Sequence, residues 1–331
     1  MTITCTDAVD LLGRFRHDEV AAYDAYMRTY RDNEQRRDKE HRSAPAGLVR
    51  AALDWTPQDL TGRRVLVVGE NGPGDEILTL GCVEDLRVCC KEVVWQCSPK
   101  LQPLLRQSFP DMRFISAPEI PRSLDLVVHA WQLIGRFRPS LESFAWTASG
   151  LFSPYLHGKQ PGRGKTSTPR IGLAWHSEGG KPGKSCDLDR VRGWAAFFGA
   201  LGKRAQFVSL QHGETSEALQ TVQDTIEAAR DRYGVAIEED PHVDTFNDFC
   251  GLAAQVAGLD CVVSISTTVV HLAGALGVPG WVLLPDDPIP HWQAGQHVCV
   301  WYPTLHPVRH EKAGDWDSAL ASITQDLEVV L

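Results

Sequence analysis

The stretch from Asp260 to Leu284 restricts the possible folds more than any other part of this chain. The apolar run Asp260-Cys-Val-Val-Ser-Ile265 leads into the hydroxyl cluster Ser266-Thr267-Thr268. A short helical pattern follows to Leu276, stopped by Gly277 and Pro279, and a second apolar run spans Trp281 to Leu284. Strand, loop, helix and strand in this order are the repeating unit of a parallel sheet. Ser266, Thr267 and Thr268 are helix-capping residues, and the free amides and positive dipole end of such a helix favour a phosphate. Thr267 and His271 lie four residues apart and share one helix face. These groups gather at the carboxyl end of a strand, where ligands bind in open α/β sheets.

The same alternation runs through most of the chain. Arg64–Val68 is a clear strand, and further strands are expected at 92–97, 112–115 and 124–129, with helices between them. A second series follows, with strands at 170–175, 206–210, 235–237, 261–265 and 281–284 and helices at 190–201, 215–233, 246–257 and 267–276. Between the two lies 158–169, rich in Gly, Pro and Ser and without periodicity, which reads as a linker. The expected organisation is a helical N-terminal extension over 1–60, an α/β domain over 61–157, the linker, a second α/β domain over 170–316 and a C-terminal helix over 317–331. Two such domains would face each other across a cleft, a common place for a ligand.

The 331 residues leave room for two domains. A net charge of −9 argues against a general binder of nucleic acid or anionic membrane. No apolar run approaches the roughly 20 residues of a membrane helix. The N-terminus lacks the basic start and apolar core of a secretory signal, so the expected location is the cytoplasm. Nine cysteines without paired spacing read as reduced thiols, with neither a zinc site nor a disulfide framework.

Several motifs carry possible chemistry. Gly162-Arg-Gly-Lys-Thr166 resembles the tail of a phosphate loop, but Lys159 stands where its first glycine belongs, and Pro169 follows. Gly69-Glu-Asn-Gly72-Pro-Gly74-Asp75-Glu76 leaves a strand and opens a helix without the dinucleotide spacing. Asp75 is either an N-cap or a general base. The loop Trp175 to Lys184 offers glycines and two lysines, Lys181 and Lys184, suited to a diphosphate or to plain solvent exposure. Gln211 follows another strand. The remaining histidines show no metal-helix spacing, so no metal site is expected.

Taken in order, Gly69–Ile77, Ser108–Pro110, Ile171–Trp175, Val208–Gln211, Ser264–Gly277, Trp281–Pro285, Trp301–Pro303 and Gly314–Trp316 resemble the glycosyltransferase part of bacterial TPR-containing glycosyltransferases, relatives of the heptosyltransferases. The resemblance covers roughly residues 62–331. It implies a GT-B fold, with two Rossmann-like domains, and an inverting, metal-independent transfer from a nucleotide sugar, needing no further cofactor. It places the catalytic base at Asp75, beside the acceptor-side residues Gly72, Gly74 and Glu76. Ser266, Thr267, Thr268 and His271 fall on the donor-diphosphate motif; Trp175, Lys181, Lys184 and Gln211 are the further donor-side candidates. The acceptor is a protein, a glycan or a small molecule. Two departures stand out: Ser266 replaces the usual Asp of heptosyltransferases, and 184–188 reads Lys-Ser-Cys-Asp-Leu where many TPR relatives carry Arg-Ser. They leave room for an alternative, a non-catalytic GT-B-like nucleotide-binding or partner protein.

Overall fold

The computed structural model describes residues 27–28, 54–69, 72–121, 123–144, 152, 168–177, 185–285, 290–292, 299–310 and 314–331. Most of the expected helical extension, most of the linker, and both Lys181 and Lys184 lie outside these residues. The chain divides into two compact units, one formed by 1–151 with 289–302, the other by 152–288 with 303–331.

The first unit holds strands β1 (Arg64–Val68), β2 (Glu92–Gln96), β3 (Arg113–Ile115) and β4 (Leu126–His129). They form a parallel sheet of order β3-β2-β1-β4. Val65, Leu66 and Val67 are fully buried, as expected for a central parallel strand covered on both faces. Helices α1 (Pro73–Thr79) and α2 (Val83–Cys89) follow β1, α3 (Gln102–Ser108) follows β2, and α4 (Ala130–Phe137) follows β4. The pattern from Glu76 to about Val88 reads as one helix in sequence. Instead a 3-10 turn, Leu80–Cys82, separates α1 from α2.

The second unit holds β5 (Arg170–Ala174), α5 (Gly193–Leu201), β6 (Gln206–Ser209), α6 (Ser216–Tyr233), β7 (Ile237–Glu238), α7 (Phe249–Ala257), β8 (Cys261–Ile265), α8 (Thr268–Leu276), β9 (Gly280–Leu284), β10 (Leu305–Arg309) and α9 (Trp316–Val330). Its six parallel strands have the order β10-β9-β8-β5-β6-β7. Cys261, Val263 and Ile265 enter a core built with Trp194, Phe197 and Phe198 of α5 and Leu320 and Ile323 of α9. By strand alternation, Val262 and Ser264 point to the opposite face.

Two features depart from the sequence expectation. Strand β10 is absent from the sequence expectation, and Pro307 lies within it. It is an edge strand, where a missing amide donor is tolerated. The expected second domain, 170–316, is interrupted, since 289–302 groups with the first unit. Large buried side chains explain this. Trp301 packs edge-on against Phe144 with ring centroids 4.9 Å apart, and Trp292 lies 6.4 Å from Tyr302. Among the described residues no helix is long and apolar enough to cross a membrane.

Candidate functional site

In each sheet the connection direction reverses at one point, and the crevice at the carboxyl ends there is the place for a ligand. In the second unit that point lies between β5 and β8, which pair directly. The loop after β5 begins at Trp175 and His176; the loop after β8 contains Ser266 and Thr267.

Thr267 is the N-cap of α8, with an extended backbone and no side-chain capping bond. Its Oγ1 lies 3.5 Å from Ser264 Oγ. Ser266, Thr267 and Thr268 are all partly exposed. A nine-residue helix therefore presents its first turn with hydroxyls beside it. His271, expected beside them, is buried at 4% exposure. Desolvation pulls its pKa from 6.5 down to about 3, so the ring is neutral. An imidazole held in this way supports the helix from within and brings no cationic charge.

The other two donor-side candidates are also turned inward. Trp175 is 2% exposed and belongs to the second unit's core. Gln211 is buried, and its amide clamps the neighbouring loop. Its Oε1 accepts the amides of Trp175 and His176 at 3.1 and 2.9 Å, and its Nε2 donates to the carbonyl of His176 at 3.0 Å. Both residues shape the site without offering it a free surface.

Sequence reasoning missed the groove that these residues build. A cavity of about 400 Å³ is lined by His176, Asp187, Asp189, Arg190, Thr215 and Glu217, among others. His176 Nδ1 lies 2.8 Å from Asp187 Oδ1. Along α6, Thr221 and Thr225 spend their hydroxyl protons on the carbonyls of Glu217 and Thr221. Those hydroxyls, like the carboxylates, thus offer acceptors. The available signal was positional: His176 directly follows a strand, and Thr215 caps a helix that follows another.

In the first unit the direction reverses between β1 and β4. Helix α1 starts after β1 with Gly72 as an exposed N-cap and Pro73 in the first position. Proline at that position sets the helix start. Asp75 is therefore not the N-cap; it sits in the first turn and is partly exposed. Its charge contributes to raising the buried Tyr302 well above the ordinary tyrosine range, an effect dominated by desolvation. Gly74 is buried.

Glu76, placed by sequence on the acceptor-side loop, is instead buried at 5% exposure. Both its carboxylate oxygens accept the Ser98 amide, at 3.1 and 3.0 Å. Desolvation raises its pKa to about 7, opposed by the Ser98 bond and reinforced by Asp75. Among the described residues no cluster of three or more potential ligands could hold a metal ion.

The two buried groups act in opposite directions on stability. The folded-state value of His271 is depressed from 6.5 to about 3. Its contribution is complete above pH 6.5 and is lost as pH falls from there toward 3. Glu76 is raised from 4.5 to about 7, so its contribution is complete below 4.5 and is lost as pH rises toward 7. Urea unfolding across pH 3 to 7 is therefore expected to show a shallower acid decline in His271→Gln than in wild type. Parallel curves would exclude a neutral buried His271.

No family model matches the chain. Protein FlbA of Caulobacter vibrioides is 25% identical over 297 residues, covering 82% of this chain and 48% of that protein. The chain thus spans about half the length of the curated relative it matches. Among solved structures, a glycosyl transferase family 9 protein from Veillonella parvula superposes with a TM-score of 0.52 at 15% identity, over 81% of this chain and 90% of that one. E. coli heptosyltransferase WaaC with ADP-2-deoxy-2-fluoro heptose gives 0.54 at 13% identity, over 81% and 100%. E. coli ADP-heptose lps heptosyltransferase II gives 0.53 at 12%, over 80% and 99%. The fold of this chain, two parallel-sheet α/β units, is the GT-B fold of the heptosyltransferases.

Proposed function

We propose that this protein is an inverting glycosyltransferase that moves a sugar from a nucleotide-sugar donor to an acceptor nucleophile. The observation that carries this reading is the open first turn of α8 at the β5–β8 crevice, flanked by Ser266, Thr267 and Thr268. Amides and dipole at a helix N-terminus stabilise a departing nucleoside diphosphate without a metal ion. Lys181 and Lys184 would add charge from the loop after β5. The neighbouring groove is rich in acceptors, with Asp187, Asp189 and Glu217 in its wall. That chemistry suits hydroxyl donors of a sugar or ribose and disfavours phosphate. Asp75 would take the acceptor's proton as the bond from sugar to phosphate breaks. The donor heptose and ADP named for the WaaC structures make ADP the first nucleotide to try.

Calorimetric titration with UDP, GDP, ADP, CDP and dTDP, followed by turnover of the matching nucleotide sugars, tests this. At least one diphosphate is expected to bind. Thr267→Ala is expected to weaken it by about 1–3 kcal/mol, the range for a hydrogen bond to a charged group. Unchanged affinity in that variant would move the diphosphate elsewhere, and no binding by any of the five would end the reading. A nucleotide-binding protein without catalysis would bind a diphosphate yet release no sugar.

A further inference from the structure

We propose that Glu76 is the positioning residue for Asp75, tying the first turns of α1 to the β2–α3 connection so that the Asp75 carboxylate holds one orientation. This rests on the reading of Asp75 as the acceptor base.

Helix α1 needs such an anchor. It has seven residues, its N-cap is a glycine, and it has no side-chain capping bond. Backbone bonds such as Glu76 N–H to the Gly72 carbonyl at 3.2 Å begin the helix. Glu76 supplies the restraint from the next residue after Asp75. Its carboxylate binds the Ser98 amide just beyond β2.

The site is shaped around this carboxylate. A Cβ built on Gly69 would lie 3.0 Å from Glu76 Oε1 and 2.5 Å from the Gln96 carbonyl, so only glycine fits there. Gly69 N–H in turn donates to that Gln96 carbonyl at 2.7 Å. The chain ends after β1 and β2 and the start of α1 therefore meet at one buried acid. A buried carboxylate is costly, and an apolar side chain would pack there at lower cost. The charge that reaches it is that of Asp75 on its own helix, and its own charge in turn helps burial push the Cys97 thiol, just after β2, up to about 12. Ionisation of Glu76 near neutrality places a second negative charge beside Asp75.

The test compares wild type with Glu76→Gln and Glu76→Asp in the full chain, using the nucleoside diphosphate and nucleotide sugar that the titrations identify. Glu76→Gln keeps the shape and one acceptor but has no charge at any pH. Turnover is expected to fall, by up to about 10²-fold for a base displaced by 1 Å. Diphosphate affinity should stay unchanged, and the step near pH 7 should vanish from the pH–rate profile. Glu76→Asp keeps the charge but is too short to reach Ser98. It should lose turnover as well, and the Ser98 amide should exchange its hydrogen faster.

Full turnover in both variants with the wild-type pH profile would overturn the proposal, and so would a uniform loss that tracks melting temperature alone. A wild-type protein that binds a diphosphate but shows no turnover would remove the catalytic reading and this proposal with it. An active wild type matched by both variants would remove only the proposal.

Discussion

Replacing Asp75 with Asn is expected to cut turnover about 10²- to 10⁴-fold, the usual share of a general base. Folding should barely change. The helix is capped by Gly72 and started by Pro73, so Asp75 holds no capping role that Asn would have to replace. The substitution removes a negative charge in a first turn, worth about 0.3–1 kcal/mol when exposed, and with it a charge that reaches Tyr302 and Glu76. Diphosphate affinity should stay at the wild-type value, because the candidate phosphate site belongs to the second unit. Steady-state kinetics with calorimetry and thermal melting separate these quantities. An Asp75→Asn protein as fast as wild type would remove Asp75 from the mechanism. A slow protein with a lowered melting temperature would mean a structural role instead.

The largest stability effect is expected at Asp85. Its two carboxylate oxygens accept from Arg138 Nη1 and Nη2 at 3.1 and 2.7 Å, and the Arg138 side chain is fully buried. Arg138 Nη2 also donates to the Gly81 carbonyl at 2.9 Å, and Nη1 donates to the Phe137 carbonyl at 2.8 Å. Gly81 lies in the 3-10 turn that separates α1 from α2, where helix carbonyls lose their regular partners. The guanidinium lies 5.5 Å from the Phe144 ring centroid. Asp85→Ala would leave that guanidinium buried without its carboxylate, a change that costs about 3–5 kcal/mol. Urea unfolding followed by a first-unit probe should show a correspondingly lower midpoint. The double variant Asp85→Leu with Arg138→Met should recover most of the loss, because a buried ion pair contributes little beyond a well-packed apolar pair. A loss below about 1 kcal/mol in Asp85→Ala would place the pair among surface bridges of small effect.

What the sequence determined by itself is whatever local pattern controls. The strands β1 and β8 appear in the structure with the bounds read from their apolar runs, since a central parallel strand is buried on both faces and reads as a continuous run. Helix α8 likewise begins at its hydroxyl cluster and ends at Gly277, whose φ of 73° is the left-handed conformation a helix stop requires. Alternation of strand and helix was enough for two parallel sheets and for the crevice at Thr267. The tertiary structure decided everything that depends on which distant residues meet. Pro307 could be a strand residue only because β10 lies at an edge. The segment 289–302 left the second unit because its aromatic side chains are buried in the first. His271 shares a helical face with Thr267 in spacing, yet only the packed core settles that its ring is desolvated and neutral. Glu76 looks like any exposed helix carboxylate in sequence. Its burial, its bond to Ser98 and its clearance over Gly69 arise from chain ends that only the folded sheet brings together. Periodicity and capping propensity act over a few residues, whereas burial and charge state are set by neighbours that are remote along the chain.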